Sequence, residues 1–195
     1  MNNKNEYLCL KDDFAIFLSN SIFFAEMSVP SGVKNNGIPK PVEPLEWLIG
    51  TWRCEDSAQG SFPTINDFKY GEELTFSNVG QPMLNMSSFT WHPEKKVPMH
   101  QETGFLRIKP GTNQVCLVLS HNFGITTVEE GTLDGHSISF ESTNIGRMSF
   151  AKEPEVKKLC RGLKLDGEIL TQTIFMETSK TPLTKHLEVT YVKKD

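Results

Sequence analysis

A chain of 195 residues with 37 % hydrophobic side chains is long enough for one sizeable core and too short for a second full domain. Twenty basic against twenty-four acidic residues leave a net charge of −4, with no basic stripe interleaved with aromatics, which argues against a nucleic-acid partner. The cysteines Cys9, Cys54, Cys116 and Cys160 are scattered without a C-x-x-C pair, so they read as reduced, buried thiols of a cytoplasmic protein, and no Cys/His cluster has the spacing of a structural zinc site.

In chain order, the first feature is the apolar run Ala15 to Ala25, flanked by Asp12, Asp13 and Glu26. It lacks the positive n-region of a signal peptide and the roughly twenty apolar residues of a membrane span, so no membrane partner is expected. The polar stretch SVPSGVKNNGIPKPVEP follows, with Met27 before it as an alternative translation start. Residues 1–40 are therefore expected to form a flexible extension, and residues 41–195 the folded domain.

From Pro44 onward, runs rich in Val, Ile, Thr, Phe and Tyr alternate with turn residues every ten to twelve positions or so. After a short helical turn at Leu45 to Ile49, ended by Gly50, the predicted strands are 50–53, 70–79, 82–91, 99–109, 114–120, 126–133, 137–145, 156–165, 169–177 and 185–192. Gly80, Pro93, Pro110-Gly111, Asp134-Gly135 and Asp166-Gly167 separate them, and the two Asp-Gly pairs are the strongest hairpin signals. Connections this short exclude the crossover helices of a parallel sheet. The expected fold is all-β: an antiparallel up-and-down β-barrel of about ten strands, lipocalin-like or fatty-acid-binding-protein-like, with short helical turns and a ligand cavity.

Enzyme signatures are sparse. Glu72-Glu73 and Glu129-Glu130 are neighbours on strands, point to opposite faces, and read as solvated. Neither G-x-S-x-G nor a phosphate-binding glycine loop occurs. Among five histidines, His92, His121 and His136 sit beside turn residues and read as solvated loop positions, while His100 and His186 open strands and are candidates to face the cavity. Alternation groups His186 with Glu188 and Thr190, opposite Leu187, Val189 and Tyr191, which fits an outward polar face equally well.

The ordered series GTWR at Gly50, FPTI at Phe62, YGEE at Tyr70, TWHP at Thr90, PMHQETGFLR at Pro98, VEEGTLDG at Val128 and PLTKHL at Pro182 resembles the nitrobindin family, including the haem-binding domain that some animal proteins join to a THAP zinc finger. The resemblance runs from about Leu45 to the C-terminus. It implies a ten-stranded barrel holding one solvent-accessible ferric haem b, reacting with nitric oxide and peroxynitrite and isomerising peroxynitrite to nitrate. It also implies His186 as axial iron ligand, with Thr64, His100 and Lys152 as haem contacts. One departure stands out: the family's G-x-W-x-G-x-G is GTWRCED here, so Cys54 and Asp56 replace two glycines in a segment about two residues longer. Larger side chains there are expected to reshape the cavity wall or narrow its entrance. A carrier of a small apolar ligand without redox chemistry is the competing reading, although the Arg-x-Tyr pair by which fatty-acid carriers hold a carboxylate is absent before Tyr191.

Overall fold

A computed structural model of the chain describes residues 30–194. Cys9, the run Ala15 to Ala25, Met27 and most of the expected flexible extension lie outside the described residues. A 3-10 helix, Lys40–Leu48, precedes ten strands: β1 (Gly50–Phe62), β2 (Ile65–Ser77), β3 (Leu84–Trp91), β4 (Pro98–Ile108), β5 (Gln114–His121), β6 (Ile125–Asp134), β7 (Ser137–Arg147), β8 (Val156–Asp166), β9 (Ile169–Thr178) and β10 (Thr181–Lys194). Each pairs antiparallel with the next, and β1 pairs with β10 to close the barrel. Closure removes the exposed edges that ten sequential strands would otherwise leave. No helix among the described residues is long and apolar enough to cross a membrane.

The barrel is expected from the pattern, and so are its tight hairpins: Gly135 and Gly167 take φ of 55° and 61°, as Asp-Gly turns require. Four element bounds differ from expectation by four residues or more, among them the start of β2, at Ile65 rather than Tyr70. The helix starts earlier, at Lys40, inside the stretch expected to be flexible, because Val42, Leu45 and Leu48 find fully buried seats against the barrel. β10 starts four residues earlier than its expected bound. β1 continues to Phe62 rather than ending at Arg53, because Cys54↔Glu72 is followed by Ala58↔Tyr70 on β2: four steps along β1 against two on its partner. The extra residues form a bulge whose members Glu55, Asp56 and Ser57 are exposed.

That bulge corrects the expectation about the replaced glycines. Cys54 is buried in the core with its thiol 3.3 Å from the Ser57 hydroxyl, and Asp56 points to solvent, so neither side chain lines the cavity. The extra length is absorbed outward.

Along the barrel axis the interior divides into two halves. The half covered by the 3-10 helix is solid: Trp52, Leu74, Phe76, Leu84, Leu106, Leu117, Ile138, Leu163, Leu170 and Tyr191 fill it. The Trp52 indole N–H donates to the Leu48 carbonyl at 2.7 Å, tying helix to sheet. The other half is open. Near it β7 and β8 part company: they pair only over Ser137–Glu141 and Cys160–Lys164, and the eight residues between the strands, Met148 to Glu155, form the loop above the gap.

Because Trp52 is 2 % exposed and holds the helix as well as the core, Trp52→Ala is expected to lower unfolding free energy by about 3–5 kcal/mol. Urea denaturation monitored by far-UV circular dichroism measures this directly.

Candidate functional site

Away from the bulges, inward positions alternate along the strands, so a residue's depth in the barrel follows from its number. On β2 the inward series towards the open end is Phe76, Leu74, Glu72, Tyr70 and Phe68. On β4 it is Leu106, Gly104, Glu102 and His100, and on β9 Leu170, Gln172, Ile174 and Met176. At one level the apolar filling gives way to polar side chains from several strands.

Arg161 of β8 organises that level. Its Nε donates to Glu129 Oε2 at 3.0 Å, one terminal nitrogen to Gln172 Oε1 at 3.0 Å, and the other to Glu102 Oε2 at 2.9 Å. Arg161 is 3 % exposed and Glu129 not at all. Burial works against the guanidinium charge, yet Glu102 and Glu129 outweigh it and raise the Arg161 pKa. Burial likewise pushes the Glu102 carboxyl up, but Arg161, His100 and His121 together hold it well below the ordinary carboxylate range. Glu72, on the same floor, is raised by burial and accepts a 2.6 Å hydrogen bond from Ser88. Tyr191, its hydroxyl accepting from Gln172 at 2.9 Å, is raised by burial and by Glu72.

Glu72 and Glu129 were expected to be solvated and are not. Both are the inward members of their Glu-Glu pairs, so alternation correctly separates the two neighbours while the charge type hides which one is buried. His121 is the second correction. It was grouped with the loop histidines but ends β5, 7 % exposed, directly opposite Glu102 in the β4–β5 ladder. His121 Nδ1 lies 3.3 Å from His100 Nε2, which lies 3.0 Å from Glu102 Oε1. His92 and His136 do sit in turns, as expected.

Above this floor lies a cavity of about 200 Å³, open at one end. Its walls are Phe68, Met99, Phe123, Leu159, Ile174, Met176 and Leu187, with His100 and His186 facing in. Gly60 permits one wall: a Cβ there would stand 2.1 Å from the ring of Phe68.

His186 reaches the cavity through a fault in β10. Lys185 pairs with Phe175 and Leu187 with Ile174, so two steps on β10 match one on β9 and His186 is the extra residue. The bulge lets His186 and Leu187, neighbours in sequence, both line the cavity, which settles the ambiguity that strict alternation left. The His186 Nδ1 is 3.2 Å from the Ser61 carbonyl, to which it donates. Its ring packs edge-on against Phe62 at 5.2 Å between centroids. Burial lowers the His186 pKa against a smaller opposing effect of the Ser61 bond. The imidazole is therefore neutral, with Nδ1 carrying the proton and Nε2 presenting a bare lone pair.

The structure brings His100 and His186 to one cavity and leaves the other two expected contacts outside it. Thr64 is exposed in the turn between β1 and β2, two residues beyond Phe62. Lys152 is exposed in the loop between β7 and β8, its carbonyl accepting from Arg147 at 3.1 Å.

Comparison with known proteins gives this arrangement a family. Residues 41–193 match the model of the THAP4-like, heme-binding beta-barrel domain. The chain belongs to this family. It is 48 % identical over 153 residues to the protein named peroxynitrite isomerase THAP4 of Rattus norvegicus, covering 78 % of this chain and 27 % of that protein. A relative of Arabidopsis thaliana named peroxynitrite isomerase Rv2717c is 35 % identical over 162 residues, covering 80 % of this chain and 93 % of that one. The crystal structure of Rv2717c from M. tuberculosis superposes with a TM-score of 0.73 at 33 % identity, covering 81 % of this chain and 99 % of that chain. The chain spans about a quarter of the length of the animal THAP4 relatives and most of the length of the shorter ones.

Two outcomes follow from the floor of this family's barrel. Arg161→Met leaves two buried carboxylates without their cation, and is expected to lower unfolding free energy by about 3–5 kcal/mol, measured by chemical denaturation at neutral pH. Glu102 is more acidic folded than unfolded, so its contribution is present above the ordinary carboxylate pKa of 4.5 and disappears as pH falls through the lower folded value. A stability–pH profile is therefore expected to fall on the acid side of 4.5, and to fall less steeply in Glu102→Gln.

Proposed function

We propose that the chain binds one ferric haem b, with His186 as the axial ligand, and isomerises peroxynitrite to nitrate. The observation that carries this reading is the state of His186. A histidine that ligates iron needs to be neutral, to have one nitrogen free, and to have the other fixed by a hydrogen bond. Desolvation supplies the first and the Ser61 carbonyl supplies the others. The apolar wall fits the group equally: phenylalanine, leucine, isoleucine and methionine face a macrocycle that is itself apolar over both faces. A tetrapyrrole is larger than a cavity of about 200 Å³, and the open end would leave room for the remainder. The names of the relatives support the reaction, and family membership supports the cofactor.

Haem, when bound, would supply an iron centre able to react with peroxynitrite and nitric oxide. The chain's own residues set the conditions. His186 would hold that iron through Nε2, while the Ser61 carbonyl and the Phe62 ring fix the orientation of the imidazole. Leu159, Ile174, Met176 and Leu187 line the cavity and keep water from it. His100 stands on the cavity wall within reach of a small ligand, its Nε2 held by Glu102. Family resemblance is what supports Thr64 and Lys152 as haem contacts; both are exposed on loops outside the cavity, and a lysine would suit a propionate. The free thiols of Cys54, Cys116 and Cys160 accord with the cytoplasm as the site of action.

The apolar-carrier alternative gains nothing from the one arginine on the cavity floor. Arg161 is already engaged by two carboxylates and has no charge to offer an anionic ligand.

Titration of the purified protein with hemin is expected to give a sharp Soret band that saturates at one equivalent, with affinity reduced at least about 100-fold in His186→Ala, since even outer-shell changes cost roughly 10–100-fold. Stopped-flow mixing of the loaded wild type with peroxynitrite is expected to speed its decay to nitrate beyond the rate given by free hemin. A broad, unsaturated hemin spectrum shared by both proteins would sink the haem reading.

A further inference from the structure

At the boundary between floor and cavity, three side chains from two adjacent strands bring one potential ligand atom each within 4.8 Å of one another. Glu102 and His121 face each other across the β4–β5 ladder, and His100 lies two residues before Glu102 on the same face. The His100 Nε2–Glu102 Oε1, His100 Nε2–His121 Nδ1 and His121 Nδ1–Glu102 Oε1 separations are 3.0, 3.3 and 3.5 Å. A tetrahedral zinc ion with bonds of about 2.0–2.1 Å to nitrogen and oxygen has ligand-to-ligand edges of about 3.3–3.4 Å. The three side chains already form one face of that tetrahedron.

Proton positions strengthen the case. The Thr127 hydroxyl donates to Glu129 Oε1 at 2.9 Å, so towards His121 Nε2, 3.4 Å away, it can only accept. His121 therefore carries its proton on Nε2 and turns a bare Nδ1 to the cluster. Glu102 Oε2 is taken by Arg161, leaving Oε1 for the cluster. A divalent cation entering at that point meets Glu102 Oε1 and one ring nitrogen of each histidine.

We propose that His100, Glu102 and His121 form a binding site for a borderline divalent cation of the Zn²⁺ class. Two imidazoles and one carboxylate select such an ion over Mg²⁺ or Ca²⁺, which take oxygen ligands. The outer shell is built: Arg161 orients Glu102, and Thr127 orients His121. Charge permits it, because Glu129 offsets Arg161 and leaves the Glu102 carboxylate for the cation. All three ligands line the cavity, so the fourth position is open to water or a small anion. The site uses no atom of His186, although it lines the same cavity.

The test is a titration of the full chain, free of haem, with Co²⁺ followed by its visible d–d absorption, and with Zn²⁺ followed by calorimetry. One ion per chain is expected, with intense cobalt bands that zinc abolishes by displacement. His121→Gln, which keeps the volume and a hydrogen bond to Thr127, and His100→Ala are each expected to weaken Zn²⁺ binding at least about 100-fold, given that outer-shell losses alone reach roughly 10–100-fold. His136→Ala, in an exposed turn, is expected to leave it unchanged. Near-UV circular dichroism of each variant confirms that the barrel is folded. No saturable binding at millimolar metal, binding that survives folded His121→Gln, or binding lost instead in His186→Ala would each overturn the proposal.

Discussion

A guanidinium stripped of water in the middle of a barrel is the constraint on which the rest of this structure depends. Arg161 cannot lose its charge, so its surroundings have to supply counter-charge, which comes from Glu102 on β4 and Glu129 on β6, with a neutral acceptor, Gln172, on β9. Once Glu102 and Glu129 are fixed by that need, the depth of the apolar filling is fixed too, because hydrocarbon can extend only up to the polar layer. The cavity is the space left on the other side. A hollow barrel half would otherwise close by repacking, and the charged floor is a layer that side chains from the solid half cannot cross without stranding an ion pair.

The same floor explains why a site with reactive character sits beside an apolar chamber. Glu102 serves Arg161 with one oxygen and the His100–His121 pair with the other. The group that balances the buried cation is thus the group that orders the polar edge of the cavity. Structural and chemical roles meet in one carboxylate, so disturbance on either side reaches the other.

Much of the fold was legible in the sequence because hairpin turns and two-residue alternation are local properties. Asp134-Gly135 and Asp166-Gly167 mark their turns through backbone conformation alone, and all ten strands surface in the sequence, β1 only over its first four residues. The continuation of β1 past Arg53 did not, since Cys54 to Ser57 breaks the alternation with a bulge whose existence is decided by the partner strand. In the site, His186 and His100 were legible as candidates, the former through family resemblance; the residue pattern alone left its direction open because a second bulge, at His186 itself, overrides the pleat. Arg161, Glu129 and His121 were passed over. Charged and polar types carry a surface prior, and only the cross-strand register that sets His121 opposite Glu102, or three strands converging on one arginine, reveals them as interior. The one available signal was parity: Glu102 shares a face with His100, and Glu129 with Thr127.

The hydrogen bond from His186 to the Ser61 carbonyl joins residues 125 positions apart, and the strands that carry them are the first and the last of the barrel. A chain emerging from the ribosome can form its hairpins one after another, each from neighbouring sequence. It cannot close the ring, orient His186, or complete the cavity until β10 has left the exit tunnel. Until then β1 and β9 are unpaired edges and the cavity has a missing wall. A truncation that removes β10 removes the barrel's seam together with its candidate iron ligand, so such a copy keeps neither a closed wall nor the His186 imidazole.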